Sequence, residues 1–354
     1  MNRKPIILAL IAGVAVSLLT LWLLSSEEND GKSTMADPKR IRGPLVATPT
    51  PNTTNSKAIS EVQRINAQPY HELLATSVKL PTDALAAFID ADAASPSRWI
   101  AAIDLCWDRE LAFRALSRFP ADPRILFRCI LIENAPEARR QLMDRLKHAD
   151  GSGSLGYYLS ASDKVCQGKG AEAVSEFMAA MKLGAPSLSP KSEIVQRRAA
   201  LEFLGVSPPK AAVLSMNSTF DVLAAPAVFK EAGSVANVES LDHESAAALG
   251  IAIGHHMESA NSKNLTSELL TLDYQARFLA QLDQDTEYGD TGLTVGEKIR
   301  QVDDRKNAIS GVIFKESELW KQASDADAAI WANTVLADGE MAAYNAWLDS
   351  ANRN

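Results

Sequence analysis

The stretch Gly156–Pro186, GYYLSASDKVCQGKGAEAVSEFMAAMKLGAP, decides the fold. Its second half places Ala171, Val174, Phe177, Met178 and Met181 on one face at helical spacing. Apolar residues recurring every three or four positions make a stripe that must be buried against a neighbour. Gly184 closes this helix just past Lys182-Leu183, since glycine adopts the left-handed conformation that ends a helix without steric cost. The stretch therefore reads as two antiparallel helices joined by a short turn.

The same signals recur outward from it. A capping residue followed by proline stands at Ser95-Pro96, Asp122-Pro123, Ser189-Pro190 and Ser207-Pro208, and Gly205 closes a helix after Phe203-Leu204. A Ser or Asp oxygen accepts the free amide hydrogens of a first turn, and proline at the first position has none to lose. Ala138, Leu142, Leu146 and Ala149 form a further stripe, while Ile125, Leu126, Cys129, Ile130 and Ile132 are apolar nearly all round. Helices are predicted to begin near 96, 108, 123, 136, 154, 171, 190 and 208. Taken alternately, they give units of roughly 27–37 residues, which cannot bury their faces alone and so stack.

One unit resembles a tetratricopeptide repeat. Tyr157 takes the large aromatic position of the first helix and Ala161 the small position one turn on. Ala173, Phe177 and Ala180 form the small–aromatic–small set of the second, with Pro186 closing the unit. Lys164 departs from the pattern, standing where the family usually has an aromatic. The neighbouring units match only as generic helix pairs. The resemblance implies an all-α, TPR-like α-solenoid over residues 57–217, presenting grooves to protein or peptide partners; an irregular α-bundle is the alternative architecture.

Beyond Pro226 no proline occurs and the helical patterns lengthen, over Glu244–Ala260, Leu265–Leu282, Thr294–Lys321 and Asp325–Ala351. Thr294 and Glu297 have capping-box spacing. A C-terminal helical subdomain, residues 218–354, is expected. Trp320, Trp331, Tyr344 and Trp347 concentrate aromatic surface in it, and core packing is a simpler account of them than partner binding.

At the other end, Ile6–Leu24 is an uncharged run whose only polar residues are Ser17 and Thr20. About 20 apolar residues span a hydrocarbon core, so a single transmembrane helix over 6–24 is expected, with Trp22 at headgroup level. The alternative, a cleaved signal peptide, usually has a shorter apolar run and a small-x-small cleavage site, which LWLLSSEEND does not offer. Arg3 and Lys4 precede the span, while Glu27, Glu28 and Asp30 follow it. Residues 1–5 should thus be cytoplasmic and the bulk extracytoplasmic, periplasmic in a Gram-negative bacterium. Residues 25–56 are polar and proline-bearing, as a flexible linker is. Ala9, Gly13 and Ser17 fall on one face of the span, a small-residue stripe that would allow homodimerisation.

Composition narrows function without naming it. Hydrophobic residues at 46% and charged residues at 23% describe a folded chain, and Ala dominance favours close helix packing. The net charge of −8, without a basic stripe, argues against nucleic acid. The three cysteines, Cys106, Cys129 and Cys166, fall in apolar helical patterns as buried thiols. His255, His256 and Glu258 are the clustered metal-type side chains, but adjacent helical histidines point about 100° apart and cannot both share a face with Glu258. The acidic loop Asp283–Asp290 has Tyr288 and Thr294 where a calcium-binding EF-hand needs Gly and Glu. No catalytic constellation and no cofactor motif is recognisable. The expectation is a membrane-anchored extracytoplasmic helical scaffold for a protein partner. The alternatives are an all-helical enzyme acting on an envelope or extracellular substrate, and a structural spacer.

Overall fold

A computed structural model describes residues 54–75, 79–185, 191–216, 227–228, 230–261, 265–288 and 291–351. The expected span 6–24 with Ala9, Gly13 and Ser17, the linker up to residue 53, and Pro186 and Ser189-Pro190 lie outside the described residues. Among the described residues no helix is long and apolar enough to cross a membrane. The architecture there is all-α: no strand forms, and the only β-type pairings are isolated bridges at Gly153–Gly184 and Glu287–Thr294.

The helices are α1 (Thr54–Ala67), α2 (Tyr70–Ala75), α3 (Ala86–Asp90), α4 (Pro96–Cys106), α5 (Arg109–Arg118), α6 (Pro123–Ile132), α7 (Pro136–Ala149) and α8 (Leu155–Cys166). They continue with α9 (Gly170–Met181), α10 (Lys191–Phe203), α11 (Pro208–Ser215), α12 (His243–Asn261), α13 (Leu265–Leu279), α14 (Val295–Gln322), α15 (Asp325–Asp338) and α16 (Glu340–Ala351). Short 3₁₀ turns lie at Thr82–Leu85 and Ser234–Asn237.

Local chemistry explains most boundaries. Asp122 accepts from the amides of Arg124 and Ile125 at the start of α6, and Asp108 accepts from Leu111 at the start of α5. Thr294 and Glu297 form a reciprocal capping box on α14, and Ser324 and Asp327 form another on α15. Ser95 and Ser207 make no side-chain cap, so proline alone sets those starts. Three expectations are corrected. Helix α1 begins at Thr54, inside the stretch expected as linker. The helix expected over 325–351 is two, because Gly339 takes φ 101°, open to glycine but strained for other residues. Cys166 is exposed, at the polar end of α8, while Cys106 and Cys129 are buried.

From α4 to α9 each helix packs on the next, joined by turns of a few residues, as stacked helix pairs do. After α9 the order changes: α10 packs chiefly on α4, and α11 on α10 and α15. Helix α9 instead meets α12, which begins a second run α12–α13–α14, and α14 touches α16 and α2. The described residues thus belong to one compact unit, with the chain's early and late helices in contact.

Two joints carry that contact. Tyr70 donates to Asp325 Oδ1 at 2.6 Å and stacks on Trp320, 5.7 Å between centroids; Trp320 in turn packs against Trp331 and Trp347 and donates to Tyr344 Oη at 3.1 Å. Trp320, Trp331 and Tyr344 are core, and half-buried Trp347 packs against them. Lys210 of α11, nearly buried, sends its Nζ to the carbonyls of Ile65, Asn66 and Gln68 at 3.2, 2.5 and 2.7 Å. A cation there complements the negative end of the α1 dipole. Between α12 and α13 the backbones approach closely: a Cβ on Gly250 would lie 2.4 Å from the Phe278 ring.

Candidate functional site

Two adjoining hollows lie along α5. One hollow, about 640 Å³, is lined by Asp108, Arg109, Glu110, Phe113, Arg114 and Ser117. A second, about 390 Å³, shares Phe113 and Ser117 and continues across Leu116, Pro120, Ala138, Leu142 and Arg145 to α7. They adjoin at Phe113 and Ser117 as one groove, which along the second hollow lies between successive helix pairs. Its apolar part is Phe113, Leu116, Ala138 and Leu142 in the second hollow; α5 turns Leu111, Ala112, Ala115 and Leu116 toward the core, which leaves Phe113 half-buried at the lip.

The rim carries three arginines, Arg109, Arg114 and Arg145, and two carboxylates, Asp108 and Glu110. Arg109 is engaged: it meets Glu133 at 2.7 Å and lies over the Phe113 ring. The Ala135 amide, and then this arginine, hold the Glu133 carboxyl below its usual range. Arg114 leans over Trp99, and Arg145 donates to Pro120 O at 2.9 Å. Neither Arg114 nor Arg145 meets a carboxylate among the described residues, and both are exposed. A guanidinium has five N–H donors in a planar fork, and both residues line the groove.

Behind the groove lies a buried charge cluster. Arg128 of α6 binds Asp104 of α4 through Nε at 2.5 Å and Nη2 at 2.8 Å, and Nη2 also reaches Glu193 of α10 at 2.7 Å. Arg197 Nη1 donates to Asp104 Oδ2 at 3.0 Å and its Nε to the Ser215 carbonyl at 2.8 Å. All four side chains are essentially inaccessible. Burial pushes the Glu193 carboxyl up despite its arginine partners, and its Oε1 has no hydrogen-bond partner among the described residues. Sequence reasoning missed this cluster. The signal was a lone arginine inside the apolar run Ile125–Ile132.

The histidines part company, as adjacent helical residues must. His255 meets Glu258 at 3.4 Å through Nδ1 and hydrogen-bonds Tyr288 through Nε2. Glu258 is pulled down to about 2 by the His255 hydrogen bond, helped by Gln275 at 3.0 Å. His256 turns the other way, its Nε2 to the Leu183 carbonyl at 2.9 Å and its Nδ1 to Tyr158 Oη at 2.7 Å. A carbonyl only accepts, so Nε2 carries the proton and, in the neutral ring, Nδ1 accepts from Tyr158. Among the described residues no three His, Cys, Asp or Glu side chains converge as a metal site. The pair ties α12 to α8 on one side and to the loop before α14 on the other.

In the repeat-like unit, Ala161, Ala173, Phe177 and Ala180 are fully buried between α8 and α9. The aromatic buried against Phe177 is Tyr158, at 6.3 Å between centroids; Tyr157 is half-buried on the α7 side, beneath Lys147. What the fold and the groove define together is an all-α protein with an arginine-rimmed apolar cleft between helix pairs. No protein-family model, curated protein or solved structure matches the chain.

Proposed function

We propose that this chain is a membrane-anchored, extracytoplasmic helical scaffold that binds a protein or peptide partner in the α5–α7 groove. Residues 6–24 hold the chain in the bilayer, the N-terminus is cytoplasmic, and α4–α9 form the TPR-like part of the stack. The supporting observation is the groove itself: apolar side chains of α5 and α7 between consecutive helix pairs, flanked by Arg114 and Arg145, neither of which forms an ion pair among the described residues. Stacked pairs use such clefts for extended or helical segments, and a tether raises the local concentration of a partner at the membrane. A photoreactive side chain at Ser117 of the full chain, in its native membrane, should yield a discrete adduct that Phe113→Asp abolishes. The same group at exposed Ile330, outside the groove, should yield none; equal labelling at both positions, or none at Ser117, would sink the proposal.

A further inference from the structure

The groove's chemistry narrows what fills it. Arg109 to Ser117 covers about 12 Å of helix axis at 1.5 Å per residue, enough for two turns of a docked helix or three to four extended residues. Its floor offers Phe113, Leu116, Ala138 and Leu142 to aliphatic or aromatic side chains. Charge is unevenly placed along it. At the Asp108 end, Asp108 caps Leu111, Arg109 is paired with Glu133, and Glu110 adds a carboxylate at the lip. Arg114, in the middle, shares the first hollow with Asp108 and Glu110 but forms an ion pair with neither, and at the Pro120 end Arg145 is the charged residue of the second hollow. An occupant with apolar side chains followed by carboxylates matches this order; one carrying lysine or arginine is repelled.

We infer that the α5–α7 groove takes an acidic amphipathic peptide segment of a partner protein, its apolar face on Phe113 and Leu142 and its carboxylates on Arg114 and Arg145. Arginine suits that task because its planar fork grips a carboxylate with two parallel hydrogen bonds. An anionic bilayer would also meet arginines, but the apolar side chains here are recessed: Leu116 and Leu142 are buried and Phe113 half-buried. A flat surface cannot fill such a cleft, whereas a peptide can.

This inference rests on the scaffold role proposed above, and two measurements on the full chain in nanodiscs separate them. Fluorescent Leu/Glu and Leu/Lys amphipathic peptides of equal length serve as probes. The Leu/Glu peptide should bind, the Leu/Lys peptide at least tenfold more weakly, and R114E/R145E should reverse that order while leaving the circular dichroism spectrum unchanged. Equal binding of both peptides, or indifference to the charge reversal, overturns the acidic occupant. If the Ser117 photo-adduct forms but the Leu/Glu peptide does not compete with it, the partner chemistry fails and the scaffold role stands; with no adduct the scaffold role fails first. In a C166S background, a fluorophore on Ser117→Cys should stay unquenched by spin-labelled lipid, and strong quenching would assign this face to the membrane instead.

Discussion

Arg128 grips Asp104 with two parallel hydrogen bonds, Nε to Oδ1 at 2.5 Å and Nη2 to Oδ2 at 2.8 Å, in a place that water does not reach. The pair joins α6 to α4, and through Glu193 and Arg197 it also fixes α10 on α4, the contact at which the helix order leaves that of a simple stack.

Removing one partner should therefore cost far more than neutralising another. Arg128→Met leaves Asp104 with Arg197 alone and strips Glu193 of its hydrogen-bonded partner, and about 3–5 kcal/mol of stability should be lost. Glu193→Gln keeps an acceptor for Arg128 in a site that already disfavours the charged carboxyl, and should cost about 1 kcal/mol. Urea unfolding of the three proteins checks the order. Equal losses would mean that the cluster does not act through its charges.

Acid should weaken the α12 end through Glu258. Its pKa is lower folded than unfolded, about 2 against 4.5, so the unfolded chain binds the extra proton. The contribution is complete above about pH 4.5 and is lost as pH falls toward about 2. Because Glu258 is half-exposed, solvent screening limits it to about 1 kcal/mol or less. Glu258→Gln should flatten the stability profile between those pH values, and an unchanged acid limb would refute the assignment.

Thiol labelling should discriminate the three cysteines. Exposed Cys166 should take up maleimide at once in the folded protein. Cys106 and Cys129 are buried, with thiols pushed up to about 11 and about 12 by desolvation, so little reactive thiolate is available to either. Intact mass should show one adduct natively and three in denaturant. Rapid native labelling of Cys129 would mean that the α5–α6 packing opens readily.

Gly250→Ala should destabilise although alanine is the better helix former. The added methyl meets the Phe278 ring at 2.4 Å, so α12 and α13 must move apart. Overpacking of this kind costs about 1–3 kcal/mol, against about 1 kcal/mol gained from helix propensity. A lowered melting temperature is expected; a raised one would show that the ring yields freely.

Helix starts were legible wherever the chemistry is local. Asp122-Pro123 and Thr294 with Glu297 announce their helices because cap and amide lie within one turn. The break at Gly339 was hidden, since one glycine inside an apolar pattern looks the same whether the helix continues or turns. The short α2 and α3 were hidden too, being too brief to show a period. The burial of Arg128 depends on α10 returning to α4, a long-range event that leaves no spacing to read. The groove was invisible for the same reason: Phe113 and Leu142 sit on different helices, and only packing makes them neighbours.

Lys210 has a mechanical consequence. By holding three carbonyls at the end of α1, it rivets the first described helix to a segment about 140 residues further along the chain. A pull on the chain ahead of Thr54 would pass along α1 to the carbonyls this ammonium holds and to Asn66, which joins Gly205 and Ser207, so strain arriving along the backbone would be shared with α11 at that point.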